Sequence, residues 1–428
     1  MSNVLHCLKA RGLIDAVTSE ELEVRLQKPM KIYIGFDPSA DSLHVGSLVG
    51  ILVLRWFQKF GHTPVVVLGG ATGRIGDPSG KSVERPLLDK ESIQKNIEGI
   101  AKHFEQILDF TDQKTRPLIV NNDSWLSQFH FIEFLRDVGK HFRISAMLAK
   151  ESVKQRLESE EGISFTEFSY QLLQAYDFYH LLTEHDVEVQ GGGSDQWGNI
   201  TAGIELIRKL GCKKNAFGLT FPLLTRSDGK KFGKTEGGAI WLAPERCSPY
   251  QFYQYFVRLP DSDVIKMMRM LTFMEMDEIE SYEKQMGRAD YLPNTAQKRL
   301  AEEVTRIVHG EEGVATALKV TEGAAPGTSA LLSANIFREI AGDMPSIVLP
   351  FDEVVGHKYV DVLVKIGLLP SKAEANRLIQ NGGAYLNNER VEDPRLQLTQ
   401  DILVGGEFLL FAAGKKKKMI VSIKKGLA

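Results

Sequence analysis

The sequence predicts an α/β fold built on a parallel sheet, followed by a helical segment and a small α+β segment. Short β-branched runs alternate with helical patterns as far as residue 247. From Ser248-Pro249 the pattern is wholly helical to about His309, and a compact mixture of both signals follows from Phe351. We therefore predict domains at residues 1–247, 248–325 and 351–428, with residues 326–350 as a linker.

Composition places the chain among ordinary globular proteins, since 43% of its residues are hydrophobic and 25% charged. No apolar run approaches the roughly 20 residues that span a bilayer, and no signal peptide is recognised. Cys7, Cys212 and Cys247 are odd in number and far apart, which argues for a reducing compartment and against a disulfide framework or a metal site. We expect a cytoplasmic protein that needs no membrane and has no metal ligands of its own.

Charge is unevenly distributed along the chain. The formal net charge is −3, yet the residues from Asp352 onward carry +3 and the rest carry −6. A basic tail on an acidic protein favours an anionic partner for that tail.

The first strand and helix enclose a polar turn. Lys31–Phe36 is a β-branched and aromatic run, and the apolar helix after it ends at Gly61, so Asp37–Leu43 is a turn and His44 lies in the first helical turn. A helix N-terminus suits phosphate, Gly46 permits close approach of a ligand, and an imidazole can donate to a phosphoryl oxygen. An ordinary turn with a histidine at the helix start is an equally good interpretation of these residues alone.

Strands and helices alternate after this turn. Residues 1–30 are predicted as a helical lead-in. The later elements are a strand at Val65–Leu68, a helix at Glu91–Leu108 capped by Asp89, a strand at Pro117–Asn121, a helix at Ser124–Val138, a helix from Ser164 through Leu182, a strand at Val187–Gln190 and a helix through Leu210. Such alternation places ligands at the carboxyl ends of the strands.

Gly69–Ser82 is glycine-rich but is not a P-loop. That motif needs a glycine where Ile75 stands. We interpret the stretch as a tight loop that presents Asp77 at the carboxyl end of the sheet, while an Asp-Pro turn without a ligand is the plainer alternative.

Three polar residues share one face of a predicted helix. Tyr170, Gln174 and Asp177 stand at i, i+4 and i+7, where a core face is normally apolar. A phenol, an amide and a carboxylate suit a small ligand that carries an ammonium and a hydroxyl group. A stripe that faces solvent is the alternative.

Consecutive glycines mark the stretch Val189–Asn199. They allow close backbone approach to a nucleoside, and Asp195 could accept hydrogen bonds from ribose hydroxyls. A flexible turn in which Asp195 caps the next helix is equally compatible with the residues.

A lysine-rich loop follows at Thr225–Thr235. Lys231 and Lys234 are three residues apart, and Gly233 lends mobility. Two ammonium groups on a loop suit a triphosphate whose charge shifts during reaction, whereas a solvated basic loop is the alternative.

Taken together, these stretches resemble a known family. H-V-G-S at His44–Ser47 and K-F-G-K-T at Lys231–Thr235 resemble the H-I-G-H and K-M-S-K-S pair of class I aminoacyl-tRNA synthetases. The longer motifs Y-I-G-F-D-P, G-G-A-T-G-R-I-G-D-P-S-G-K, F-S-Y-Q-L-L-Q-A-Y-D-F and G-G-S-D-Q-W-G-N-I resemble the bacterial-type tyrosyl-tRNA synthetases, and the resemblance covers essentially the whole chain. It implies a Rossmann-like catalytic domain, an α-helical anticodon-binding domain and an α+β RNA-binding C-terminal domain.

The resemblance also implies an activity. Such an enzyme activates L-tyrosine with ATP to tyrosyl-adenylate and pyrophosphate, then transfers tyrosine to the terminal adenosine of tRNA(Tyr). ATP is a substrate, Mg²⁺ is expected with the nucleotide, and no side chain acts as a nucleophile. A homodimer is implied, with a contact around Phe129–Phe142.

The resemblance assigns a role to each matching residue. Tyrosine would be held by Tyr33 and Asp177 at its phenol, by Tyr170, Asp77 and Gln174 at its ammonium, and by Gln190 and Gln196 in the rest of the pocket. ATP would contact Asp37, Gly46, Ser47, Gly193, Asp195, Leu223 and Leu224. The phosphates would be held by Ser39, His44, Lys231, Lys234 and Thr235. The tail resembles a ribosomal RNA-binding module, and its Lys372 and Arg377 would face RNA phosphates.

Both motifs depart from the general class I pattern. Ser47 stands where H-I-G-H has its second histidine, and Phe232-Gly233 replaces Met-Ser. The competing interpretations are a tryptophanyl synthetase or an H-x-G-H nucleotidyltransferase, and an RNA-binding or splicing protein that has kept the scaffold. Paired hydroxyl-binding groups at Tyr33 and Asp177 argue against tryptophan, and the intact lysines, with Asp177 and Asp195, argue against a degenerate site.

Overall fold

A computed structural model describes residues 3–80, 88–158, 162–229, 232–235, 238–323, 333–341, 344–414 and 417–424. The chain forms two compact units. The first comprises Met1–Cys247 and Phe256–Val308, and the second comprises Ser248–Tyr255 and His309–Ala428.

The first unit contains a six-stranded sheet in the order β1-β6-β5-β2-β3-β4. Its strands are β1 (Ala16–Val17), β2 (Lys31–Phe36), β3 (Thr63–Leu68), β4 (Leu118–Asn121), β5 (Val187–Gly193) and β6 (Phe217–Phe221). Every neighbouring pair is parallel except β1 with β6. Because β2 lies between β3 and β5, the strand order reverses there, and α/β proteins bind ligands at that point.

Helices surround this sheet. They are α1 (Val4–Ala10), α2 (Glu21–Arg25), α3 (Val45–Lys59), α4 (Lys90–Ile107), α5 (Asp123–Leu126), α6 (Phe131–Asp137), α7 (Ile144–Leu148), α8 (Glu151–Leu157), α9 (Phe165–His185) and α10 (Trp197–Lys209). The predicted caps are confirmed: Asp89 accepts from the Ser92 N–H at 2.7 Å, and Ser164 accepts from the Glu167 N–H at 3.2 Å. Apolar side chains of α5, α9 and α10 form a core with Tyr33 of β2 and Val65 of β3.

Two predictions for this unit are wrong in detail. The helix expected over Ser124–Val138 is two short helices: Trp125 and Leu126 of α5 are buried, whereas Phe131, Ile132 and Leu135 of α6 are exposed. Residues 1–30 are not wholly helical either, because they include β1 between α1 and α2, and β1 pairs with β6.

A short antiparallel hairpin and four helices follow. The hairpin is β7 (Lys234–Thr235) with β8 (Gly238–Ala239), and the helices are α11 (Pro249–Val257), α12 (Asp261–Leu271), α13 (Met276–Met286) and α14 (Thr295–Gly323). Helix α14 has a kink at Gly310, where φ is 70°. The structure describes every residue from Pro249 to Gly323 and contains no strand in that range, as the sequence predicts.

The second unit has its own five-stranded sheet in the order β11-β10-β12-β13-β9. Its elements are α15 (Ala334–Ala341), β9 (Ser346–Pro350), α16 (Tyr359–Lys365), α17 (Lys372–Gln380), β10 (Ala384–Leu386), β11 (Glu389–Arg390), β12 (Phe408–Ala413) and β13 (Lys417–Lys424). The core includes Tyr359, Leu363, Ile379 and Phe411.

The C-terminal sheet begins earlier than the sequence suggests. Strand β9 pairs in parallel with β13, although Ser346–Pro350 falls in the stretch predicted as a linker. The domain boundaries themselves stay a prediction. Among the described helices, none has both the length and the apolar character that a membrane span requires.

Candidate active site

A cavity of about 430 Å³ lies where β2 and β5 end. It brings together most of the site residues predicted from the sequence: Tyr33, Asp37, Ser39, His44, Gly46, Ser47, Asp77, Tyr170, Gln174, Asp177, Gln190, Gly193, Asp195, Gln196 and Leu223. Residues that follow different strands therefore converge on one space, as expected for a parallel sheet.

The other predicted residues are placed differently. Leu224 is buried and is not part of the cavity lining. Lys231 lies outside the described residues, and of Lys234 and Thr235 the structure describes the backbone. Lys372 and Arg377 lie on α17 of the second unit, where both are exposed.

His44 caps α3 rather than lying in its first turn. Its Nδ1 accepts a hydrogen bond from the Gly46 N–H at 3.0 Å. That bond leaves the proton of the neutral ring on Nε2, which makes Nε2 a donor. A Cβ built on Gly46 would stand 2.7 Å from the imidazole, so a side chain there would displace the histidine.

Asp177 lies at the buried end of the cavity. Trp125 Nε1 donates to its Oδ1 at 2.7 Å, and Asn122 Nδ2 donates to its Oδ2 at 3.0 Å. Burial nevertheless raises the pKa of Asp177 to about 7, because a charged carboxylate loses its hydration there while the two hydrogen bonds recover part of that loss.

The hydroxyl of Tyr33 lies in the same region. It is buried, and no other described residue forms a hydrogen bond with it. Burial, with the charge of Asp177 adding to it, holds the pKa of Tyr33 well above its ordinary value, so the group is a neutral hydroxyl. A buried hydroxyl without a partner is costly unless a ligand completes it.

A chain of hydrogen bonds links the two sides of the cavity. Tyr170 Oη donates to Asp37 Oδ2 at 2.9 Å, and Thr72 Oγ1 donates to Asp37 Oδ1 at 2.8 Å. Asn122 Nδ2 then donates to Thr72 Oγ1 at 2.9 Å and so connects this chain to Asp177. A nucleotide hydroxyl that bound Asp37 would therefore donate to a carboxylate oxygen that already accepts a hydrogen bond from Tyr170 or Thr72.

Amide side chains surround the carboxylate of Asp77. Gln196 Nε2 donates to Asp77 Oδ2 at 2.6 Å, and Gln174 Nε2 lies 3.3 Å from Gln196 Oε1. Asn199 Nδ2 donates to Gln174 Oε1 at 3.1 Å. Gln190 Oε1 is buried without a partner among the described residues. One carboxylate among oriented amide oxygens suits a ligand cation such as an ammonium group.

The end of β5 has no free space for side chains at Gly192 and Gly193. A Cβ on Gly193 would stand 2.6 Å from Asp195 Oδ1 and 2.8 Å from Leu223, and one on Gly192 would stand 2.8 Å from Gln196 Cβ. Backbone without side chains thus forms this wall, which leaves room for a flat group beside Asp195.

Several residues of the site were not predicted from the sequence: Thr72, Asn122, Trp125 and Asn199. Asn122 directly follows β4, so a search for polar residues after every strand would have found it. Nothing local marks Trp125, because its role depends on the packing of α5 against α9.

Comparison with known proteins identifies the family of this chain. The family described as tRNA synthetases class I (W and Y) matches residues 25–324. The chain belongs to this family. The family described as the tyrosine--tRNA ligase SYY-like C-terminal domain matches residues 337–421.

Two relatives of this class I synthetase are tyrosine--tRNA ligases. The tyrosine--tRNA ligase of Protochlamydia amoebophila is 57% identical over 423 residues, which cover 99% of this chain and 99% of that protein. The chloroplastic/mitochondrial tyrosine--tRNA ligase of Arabidopsis thaliana is 52% identical over 427 residues, which cover 98% and 84%.

Solved structures of similar fold match about three quarters of the chain. The C-terminally truncated Aspergillus nidulans mitochondrial tyrosyl-tRNA synthetase has a TM-score of 0.66 at 31% identity, with 74% of this chain and 92% of that chain covered. A tryptophanyl-tRNA synthetase from Giardia lamblia has a TM-score of 0.55 at 17% identity, with 73% and 85% covered, which shows a shared fold alone.

Proposed function

We propose that this synthetase is a tyrosine--tRNA ligase. The observation that carries the proposal is the pair of buried groups at one end of the cavity, the Tyr33 hydroxyl and the Asp177 carboxyl. A phenol can accept from Tyr33 and donate to Asp177 at once. An indole N–H can donate but cannot accept, and a phenyl ring can do neither, so tryptophan or phenylalanine would leave buried polar groups unpaired.

The rest of the cavity suits the rest of the reaction. Asp77 and the amides around it would hold the α-ammonium, and the glycine wall beside Asp195 would take the adenosine. A tyrosine carboxylate oxygen then attacks the α-phosphorus of ATP, the bond to the bridging oxygen breaks, and pyrophosphate leaves. The adenylate passes its tyrosyl group to the terminal adenosine of tRNA(Tyr), and AMP leaves.

Positioned donors would stabilise the charge that moves onto the phosphates. His44 Nε2 is such a donor at the start of α3, where the helix N-terminus also favours negative charge. Ser39, Ser47, Lys231, Lys234 and Thr235 are proposed to assist, as the family resemblance implies. Among the described residues no group of three or more His, Cys, Asp or Glu side chains could hold a metal ion, and we propose that Mg²⁺ arrives on the phosphate oxygens of ATP.

We propose that the second unit contacts tRNA through α17. Lys372 and Arg377 are exposed on this helix, and Lys372 pairs with Asp361 at 2.7 Å. An RNA phosphate would compete for that ammonium group, so the contact should weaken with salt. A cytoplasmic location is proposed with this function, because the tRNA and ATP that it consumes are found there.

A homodimer is also proposed, with the contact around Phe129–Phe142. Phe131, Ile132 and Leu135 on α6 are 64%, 71% and 38% exposed, and a cluster of large apolar side chains on a surface indicates an interface. We expect sedimentation to give twice the chain mass and Ile132→Glu to give the chain mass. A wild-type chain that sediments as a monomer at micromolar concentration would remove this part of the proposal.

Pyrophosphate exchange into ATP tests the function directly. The intact chain is assayed with tyrosine, phenylalanine and tryptophan under the same conditions, and exchange is expected with tyrosine. Exchange with tryptophan would overturn the substrate, and exchange with none of the three would favour an RNA-binding protein that has kept the scaffold.

Tyrosine binding should depend on pH near neutrality. Asp177 has a pKa of about 7 in the free protein, and it must be ionised to accept the phenol proton in a charge-assisted bond. Lowering the pH from 8 to 6 reduces the fraction of protein molecules with an ionised Asp177 about tenfold. The tyrosine Kd should therefore rise about tenfold.

Titration calorimetry at several pH values measures this dependence. Binding of ATP alone over the same pH range is the control, because Asp177 lies at the phenol end of the proposed site. A tyrosine Kd that stays constant between pH 6 and pH 8 would contradict the assignment of Asp177.

A further inference from the structure

Residues 240–246, here called the anchor segment, directly follow the hairpin that carries Lys234. In that hairpin Lys234 pairs with Ala239, one residue before the anchor segment begins. The Ile240 N–H donates to the Gly233 carbonyl at 2.8 Å, which closes the base of the hairpin. The hairpin pairing and this hydrogen bond therefore hold the backbone of Lys234 close to the start of the anchor segment.

The anchor segment is bonded along its length to the turn that carries His44. The Val45 N–H donates to the Ile240 carbonyl at 2.9 Å, and the Leu242 N–H donates to the Leu43 carbonyl at 2.8 Å. Between these bonds His44 and Trp241 stand opposite each other in an antiparallel bridge, with ring centroids 6.4 Å apart.

Ser42 adds a buried contact below this pairing. Its Oγ accepts from the Ala243 N–H at 3.1 Å, donates to the Leu43 carbonyl at 2.8 Å, and lies 3.2 Å from His103 Nε2. Burial lowers the pKa of His103 to about 4, so the imidazole is neutral and Nε2–H can donate to this oxygen. The hydroxyl thus ties α4, the turn and the anchor segment together.

Arg246 completes the arrangement on the outside. Its guanidinium lies over the Trp241 ring, 4.6 Å from the ring centroid, and forms an ion pair with Asp41. A planar cation can stack on an indole and pair with a carboxylate at the same time, which holds the ring against the turn.

We propose that the anchor segment sets the position of Lys234 relative to His44, with Trp241 and Arg246 as positioning residues for the activation step. The proposal rests on the proposed function, because it concerns the two motifs expected to hold the phosphates. Displacing the anchor segment would move the hairpin and the His44 turn apart and leave the phenol end of the cavity, at Tyr33 and Asp177, unchanged.

The test is tyrosine-dependent pyrophosphate exchange by the full chain, with KM for tyrosine and kcat measured separately. Trp241→Leu is expected to lower kcat about 10- to 100-fold, since misplacement of reacting groups by 1 Å costs about that much. KM for tyrosine should stay within about twofold. Trp241→Phe, which keeps an aromatic face under Arg246, should recover most of kcat.

Arg246→Gln is expected to lower kcat less than Trp241→Leu, and the double variant should be no worse than Trp241→Leu alone, because the arginine acts through the ring. Arg25→Gln is the matched control. Arg25 pairs with Glu188 near the start of β5, at the opposite end of that strand from the cavity, and has a similar exposure, 36% against 39% for Arg246. Its kcat should stay close to that of the wild type.

Thermal melting of each variant separates misfolding from misplacement. If Trp241→Leu does not fold, the exposed Arg246→Gln replacement decides by itself. An unchanged kcat in folded Trp241→Leu or folded Arg246→Gln, a KM for tyrosine that rises as kcat falls, or an equal loss in Arg25→Gln would overturn the proposal. Absence of tyrosine-dependent exchange in the wild type would instead overturn the proposed function.

Discussion

Replacing Asp177 with alanine is expected to lower kcat/KM for tyrosine about 100- to 10,000-fold in pyrophosphate exchange. The phenol would lose a charge-assisted hydrogen bond worth about 1.5–3 kcal/mol, and its own O–H would be left buried without an acceptor at a further cost of about 1–3 kcal/mol. Trp125 and Asn122 donate to this carboxylate, and the amide oxygen of Asn122 already accepts from the Ala71 N–H, so neither side chain replaces the lost acceptor.

The loss should fall mainly on KM. The phenol is remote from the reacting carboxylate of the substrate, so its contacts stabilise bound substrate and transition state alike. Tyr33→Phe is the matched control, because it removes one hydroxyl without changing the ring that packs 5.4 Å from Phe178. Its expected loss is about 2- to 12-fold, the worth of one neutral hydrogen bond.

The two variants should also differ in their selectivity against phenylalanine. A site built to pair a substrate hydroxyl rejects the analogue that lacks it, and the tyrosine enzymes are the established example of this rule. Both replacements should therefore reduce the ratio of kcat/KM for tyrosine to kcat/KM for phenylalanine. The reduction should be larger for Asp177→Ala than for Tyr33→Phe. An unchanged KM for tyrosine in folded Asp177→Ala would show that the phenol lies elsewhere.

Local sequence predicts those parts of the site whose geometry is set within one turn or one helix. The turn at Asp37–Leu43 follows from a β-branched strand that runs into an apolar helix, and the structure places His44 at the cap of that helix. The polar face of Tyr170, Gln174 and Asp177 follows from helical spacing alone, and all three line the cavity. Such features depend on residues close in sequence, so the pattern contains them.

Features that depend on distant partners were missed. Trp125 donates to Asp177 across the fold, and no pattern around Trp125 distinguishes it from a core residue. Strand β9 was assigned to a linker because its partner, β13, lies at the far end of the chain. Sheet pairing between remote segments has no local signal beyond an apolar run of strand length.

Replacing His44 with asparagine is expected to lower kcat about 100- to 1000-fold and to leave stability nearly unchanged. Asparagine is among the best N-cap residues, so it can accept from the Gly46 N–H as His44 Nδ1 does at 3.0 Å. Its shorter amide does not extend as far as Nε2, and the loss of one positioned donor to a developing phosphate charge costs about 2.7–4 kcal/mol.

His44→Ala separates the two roles of this side chain. It should lose kcat to a similar extent and, in addition, about 1 kcal/mol of unfolding free energy, because the cap is gone. Exchange kinetics measure the first effect and denaturant unfolding the second. Ser47→His, which restores the second histidine of the class I motif, should change kcat only modestly. A folded His44→Asn variant with wild-type kcat would show that the imidazole serves as a cap alone, and the developing charge would then have to be met by the helix N-terminus and the lysine loop.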